Sequence, residues 1–156
     1  MPQTTDYMSW ENAKLELAEE ATHLSWIDIS GSTNSCEAAG GNIPAGVTYT
    51  HKSNAPLVGF GKQALRTWVV NAIYTETTDE AWKTAEDFYK GRVDCYLRVT
   101  PAGGSAGDLR FTTTGPGRIT EFKLPSGKAE DSQPIICAFT LTAPDYETDA
   151  TPATTT

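Results

Sequence analysis

The chain is 156 residues long, with 12 Lys plus Arg against 20 Asp plus Glu and a formal net charge of −8. A chain of this length fits one domain, which buries roughly 70% of the surface its unfolded form exposes, enough for a core without disulfide or metal staples. The acidic balance and the lack of Lys/Arg clusters exclude tight nucleic-acid binding, which depends on neutralising phosphates.

The charge is uneven. Asp6, Glu11, Glu16, Glu19, Glu20 and Asp28 face the single base Lys14 before Cys36, and Glu130, Asp131, Asp145, Glu147 and Asp149 follow Lys128 with no base among them. Cys36, Cys95 and Cys137 are far apart and odd in number, which points to a reducing compartment rather than a disulfide framework, with Cys95 and Cys137 read as small hydrophobes in strands. Residues 1–24 hold no apolar run of signal-peptide type and nothing reaches transmembrane length, so a soluble protein with no membrane association is expected.

In chain order, residues 1–24 read as a polar, acidic N-terminal arm, within which Asn12 to Ala21 suits either a short helix or an alternating strand. Ser25 to Ser30 alternates, with Ile27 and Ile29 on one face, and predicts a strand. Gly31 to Gly46 is rich in Ser, Asn, Gly and Ala and predicts a long polar loop or an extended hairpin arm. Val47 to His51 and Leu57 to Phe60 are strand candidates around the turn-prone Ser53–Asn54–Ala55–Pro56. The strongest strand signal is Leu65 to Thr75, apolar enough on both faces to predict cover on both sides.

A helix is predicted next. Thr77–Thr78–Asp79–Glu80 has the spacing of a capping box, and Ala81, Trp82, Ala85, Phe88 and Tyr89 fall on one stripe that Lys90 and Gly91 would end. Val93 to Thr100, Leu109 to Thr113, Arg118 to Leu124 and Pro134 to Thr142 predict four further strands. Ile119 and Phe122 break alternation in the third of these, which implies a bulge or bend. From Ala143 the chain is Thr, Ala, Pro and Asp with no core residue but Tyr146, and a flexible C-terminal tail over 145–156 is expected.

Catalytic signatures are missing. Neither Gly-x-Ser-x-Gly nor a phosphate-cradling Gly-x-x-x-x-Gly-Lys-Ser/Thr occurs, and His23 and His51 sit in polar segments away from any Cys. Gly59–Phe60–Gly61 and Gly103–Gly107 read as flexible turns, since neither stands between a strand and a following helix. Glu86 and Asp87 belong to the helix's wet face. No enzymatic activity, cofactor or metal is expected. Of the four tryptophans, Trp68 and Trp82 lie on inferred buried faces and Trp26 beside a strand that can pack it; Trp10, in the N-terminal arm, suits an anchor on a neighbouring subunit.

Several ordered phrases resemble a family of siphophage tail tube (major tail) proteins. They are Ser25–Trp26–Ile27–Asp28–Ile29–Ser30–Gly31–Ser32–Thr33–Asn34–Ser35, Tyr74 to Ala81, the stretch from Thr100 to Gly104 with Gly107 to Thr113, and the close Leu141–Thr142–Ala143–Pro144. The likeness spans Ser25 to Pro144 and lies in order and texture rather than in a catalytic motif. It implies a mainly β protein: a sandwich of about eight strands over 25–144 with one flanking α-helix. It further implies hexameric rings stacked into a tube, sheets closing into an inner β-barrel, and DNA passing down the lumen without tight binding. The place would be the tail of a virion, reached from the host cytoplasm, with the chain itself and other tail proteins as partners. Trp10, Ser35, Gly40, Gly41 and Ile43 are the candidate inter-subunit contacts. Two other readings stay open: a different self-assembling or interaction β-sandwich, which includes a related tube-forming component of a secretion or contractile system, and a β-sandwich binding module for carbohydrate or a cell-surface partner.

Overall fold

The structure, a computed structural model, describes residues 8–19, 25–130 and 132–153. Within them lie β1 (Lys14–Ala18), β2 (Ile27–Asp28), β3 (Thr33–Gly40), β4 (Ala45–Thr50), β5 (Ser53–Phe60) and β6 (Arg66–Ile73). The helix α1 (Ala81–Gly91) follows, then β7 (Tyr96–Thr100), β8 (Leu109–Thr113), β9 (Arg118–Ser126), β10 (Ile136–Ala143) and β11 (Tyr146–Ala150). The strands form a five-stranded sheet in the order β11-β8-β7-β1-β2, a four-stranded sheet in the order β3-β6-β10-β9, and the separate hairpin β4-β5. Every pairing is antiparallel. The mainly β sandwich with one flanking helix is therefore present.

Alternation places the core between the two larger sheets. Leu15, Leu17, Leu97 and Val99 point inward from the five-stranded sheet to meet Trp68, Val70, Phe139 and Leu141 of the four-stranded one. α1 lies on that same face of the four-stranded sheet. The Trp82 ring lies 4.6 Å from that of Phe122 at a tilt of 39°, and Phe122 stands opposite the buried Phe139, so the two phenylalanines share a face. Tyr74 meets Trp82 edge-on at 5.0 Å. The expected irregularity in β9 is present as register shifts against β10, and it is what turns both Ile119 and Phe122 inward.

The outward face of the five-stranded sheet is tied by charge. Glu16, buried although acidic, takes Arg98 at 2.9 Å and Lys14 at 3.1 Å, and the Arg98 guanidinium lies 3.9 Å above the Trp26 ring. Trp26 is thus packed beside its strand as expected, through a cation rather than a core.

Several expectations change. Of Asn12 to Ala21, Lys14–Ala18 forms strand β1 inside the five-stranded sheet, the strand of the two readings, rather than part of a loose arm. The long loop expected from Gly31 is strand β3, zipped along β6 from Thr33 to Gly40, and only Gly41–Pro44 connects it to the hairpin. The hairpin turn falls at His51–Lys52 instead of Ser53–Pro56, because Pro56, with no amide to donate, sits in the register irregularity between Thr48 and Thr50. β6 is buried on one face only; Val69 on the other is 36% exposed. The expected flexible tail contributes β11, paired with β8 from Tyr146 to Ala150.

The capping box does not form. Glu80 is itself the N-cap residue, its carboxylate accepts from the Thr75 hydroxyl, and the amide of Ala81 donates instead to Ser32 Oγ at 3.0 Å. At the other end the left-handed cap is Arg92 (φ 50°), one residue beyond Gly91. The parts of the expected N-terminal arm at 1–7 and 20–24, His23 among them, and of the tail at 154–156 lie outside the described residues.

Candidate assembly surfaces

Three features are left uncovered by the packing above. The first is the outward face of the four-stranded sheet. It carries Ser35 and Glu37 from β3, Thr67, Val69, Asn71 and Ile73 from β6, Ala138, Thr140 and Thr142 from β10, and Thr120 from β9. Small and hydroxyl side chains dominate, tied to one another: Asn71 Nδ2 donates to Ser35 Oγ at 2.7 Å and the Thr120 and Thr142 hydroxyls are 2.8 Å apart. β3 and β9 each have one neighbour within this sheet, so among the described residues its two edges are unpaired.

The second is the hairpin β4-β5. Every residue in both strands is exposed. Val47 pairs with Val58 and Ala45 with Phe60, which puts Val47, Tyr49, Val58 and Phe60 on one apolar face; Tyr49 is 68% exposed and Phe60 75%. A two-stranded hairpin with nothing against its apolar face is marginal in water.

The third is a cleft of about 350 Å³ between the sheets, floored by Trp68 and walled by Trp10, Phe111, Tyr146, Cys36 and Arg66. Arg66 donates to Asp145 Oδ1 at 2.9 Å while its guanidinium lies 5.0 Å from the centre of the Tyr146 ring, and Phe111 meets Tyr146 edge-on at 5.9 Å. The backbone amide of Tyr146, then Arg66, holds the Asp145 carboxyl below its ordinary value. Burial, then the neighbouring Glu37 charge, pushes the Cys36 thiol up to about 12, so it stays protonated at neutral pH.

The candidate contacts predicted from the sequence scatter across these features. Trp10, 45% exposed in a 3-10 turn capped by the Ser9 hydroxyl, stands at the mouth of the cleft. Ser35 lies on the outward face of the four-stranded sheet. Gly40 (φ 84°) and Gly41 (φ 73°) form the root of the hairpin, where a Cβ on Gly40 would stand 2.5 Å from the Leu65 carbonyl oxygen. Ile43 is exposed in the connection to β4. Sequence reasoning missed Arg66, Phe111 and Asp145; Tyr146, the one large apolar residue of the presumed tail, was the signal pointing to them. Among the described residues no three His, Cys, Asp or Glu side chains come together as a metal site, and no helix is long and apolar enough to cross a membrane.

No family model matches the chain, and no curated protein matches it by sequence. Solved structures do match. A chain of the sheath–tube complex of an extracellular contractile injection system, in the extended state, superposes with a TM-score of 0.66 at 13% identity, covering 94% of this chain and 93% of that one. A chain of the six-fold symmetrised baseplate of the anti-feeding prophage gives 0.66 at 9%, covering 94% and 97%. A chain from the tail of an empty gene transfer agent particle, refined with C6 symmetry, gives 0.64 at 8%, covering 93% and 99%. The chain has the fold of phage-like tail subunits. These matches are broader than siphophage tails: they extend to injection systems and gene transfer agents.

Proposed function

We propose that this chain is the tube subunit of a phage-like tail, polymerising as stacked hexameric rings in which the four-stranded sheets of neighbouring copies join edge to edge around a central channel. The observation that carries this reading is the asymmetry of that sheet: one face holds the core, while the other faces outward and, among the described residues, no further strand pairs with its edge strands β3 and β9. Unpaired edges invite addition of further strands, and ring closure removes them. The six-fold symmetry of the anti-feeding prophage and gene transfer agent assemblies supports the hexamer.

On this reading the hydroxyl-rich face lines the channel. Its charged members at the paired positions are Glu37, Glu121, Lys123 and Arg118, with Arg118 held 2.7 Å from Asp94; two acids against two bases leave no excess of cations to grip phosphate, so DNA slides through rather than sticking. Trp10, Ser35, Gly40, Gly41 and Ile43 lie at or beside the contacts between copies. The subunit does structural work without catalysis, takes no cofactor, and resides in the tail of the particle beside other tail proteins. The siphophage tail is the specific setting that the sequence resemblance favours. A tube within a contractile system is the second reading, favoured by the match to a sheath–tube complex.

Purified protein concentrated toward millimolar and viewed by negative-stain electron microscopy tests the proposal. Rings or hollow tubes with a stain-filled centre are expected. A preparation that stays monomeric throughout defeats it.

A further inference from the structure

The two free edges of the four-stranded sheet carry charges that select how one can meet the other. In the order β3-β6-β10-β9 every neighbour is antiparallel, so β3 and β9 run in opposite senses. A copy related by rotation about a tube axis keeps the sense of each strand along that axis. Its β3 therefore meets β9 antiparallel, and the ladder continues across the joint.

Charge then sets the register. Successive pairings put Glu37, Val69, Thr140 and Glu121 in one row across the sheet, and Ser35, Asn71, Ala138 and Lys123 in another. A joint that prolongs these rows sets Glu37 of one copy against Glu121 of the next, and like charges directly opposite are destabilising. A one-residue step turns every side chain to the wrong face. A two-residue step keeps the faces, and a sheet closes into a barrel only when its register steps around the circumference. That step opposes Glu37 with Lys123 in one sense and with Arg118 in the other. Arg118 is already held by Asp94 at 2.7 Å. Glu37 and Lys123 are exposed and, among the described residues, belong to no ion pair.

We infer that β3 of one copy joins β9 of the next two residues out of row, with Glu37 opposite Lys123. This rests on the tube reading and names the pair that sets its lateral register. A second feature agrees. By alternation from the inward-facing Phe122, Leu124 points to the core side of the sheet, where it is 69% exposed. In the in-row joint it lies against the exposed, polar Asn34; after the step it lies against Cys36, in the wall of the cleft. The step thus joins an unmatched cation to an unmatched acid on the channel face and covers an unpacked leucine on the other.

Cysteine pairs on a C36S background separate the registers. Within one chain, positions 37 and 123 lie on opposite edges of the sheet, three strand spacings or about 14 Å apart, too far for a disulfide. Assembled where wild type forms tubes and then oxidised with copper–phenanthroline, E37C/K123C is expected to give disulfide-linked ladders on non-reducing gels, and E37C/E121C to stay unlinked. E37K, with unchanged circular dichroism, sets a lysine against Lys123 and is expected to raise the concentration needed for assembly about three-fold; E37K/K123E should restore it. In the in-row joint E37K would instead meet Glu121 and assemble more readily. Ladders from E37C/E121C, tubes with ladders from neither pair, or easier assembly of E37K would overturn the stepped register while leaving the tube reading intact. Wild type that never assembles would overturn both.

Discussion

The start of α1 offers a direct contest between local sequence and tertiary structure. The Thr77–Glu80 spacing points to a local cap, yet the Ala81 amide is held by Ser32 Oγ at 3.0 Å, from 49 residues away. Both Ala81 and Ser32 are buried. Replacing Ser32 with Ala therefore leaves a buried donor unpaired, which costs about 1–3 kcal/mol, against about 1 kcal/mol for an ordinary exposed cap. Thr77 is exposed, and it is its backbone carbonyl, which Thr77→Ala keeps, that accepts from the Glu80 amide at 3.4 Å. That substitution should stay within about 0.5 kcal/mol of wild type. Urea unfolding of the unassembled subunit, tracked by far-UV circular dichroism, separates the two. With a slope near 2 kcal/mol per molar, S32A should lower the midpoint by about 1 M and T77A by no more than about 0.25 M. If T77A costs as much as S32A, the long-range cap is not what starts this helix.

Burial and charge set two further outcomes. Leu97→Ala, at a fully buried site, should cost about 2–5 kcal/mol, whereas Val69→Ala on the outward face of β6 should cost under about 1 kcal/mol in the free subunit; denaturant midpoints check the contrast. Asp149 receives two bonds of 2.8 Å from Arg110, and that guanidinium lowers its pKa. A group with a lowered folded pKa contributes its stability above the unfolded value, about 3.9, and loses it as pH falls through the folded one. β11 should accordingly loosen below about pH 4, visible as shifting amide resonances for residues 146–150, with a shallower acid response in D149N.

What could be read from the chain depended on whether a strand is held by its side chains or by its backbone. β6, β7 and β10 announce themselves because alternate residues are buried: Leu97 and Val99, or Phe139 and Leu141, repeat at a period of two. β3 and β11 are edge strands with little to bury, held by ladder hydrogen bonds to β6 and β8, and composition alone made Thr33–Gly40 look like a loop and Tyr146–Ala150 like a tail. The exposed hairpin showed only part of its length, for the same reason. The cleft was less legible still, because its walls come from segments as distant as Trp10, Arg66, Phe111 and Tyr146, which nothing but folding brings together.

The glycine root of the hairpin acts as a mechanical datum. Gly40 and Gly41 hold left-handed backbone with the Leu65 carbonyl and the Arg66 side chain hard against them, so any other residue there must tilt the two strands beyond it. A tilt of about ten degrees swings the end of a lever of roughly 20–25 Å by about 4 Å, more than a side chain can absorb at a close-packed contact. The direction in which the hairpin points is thus gauged by two residues that have no side chain at all.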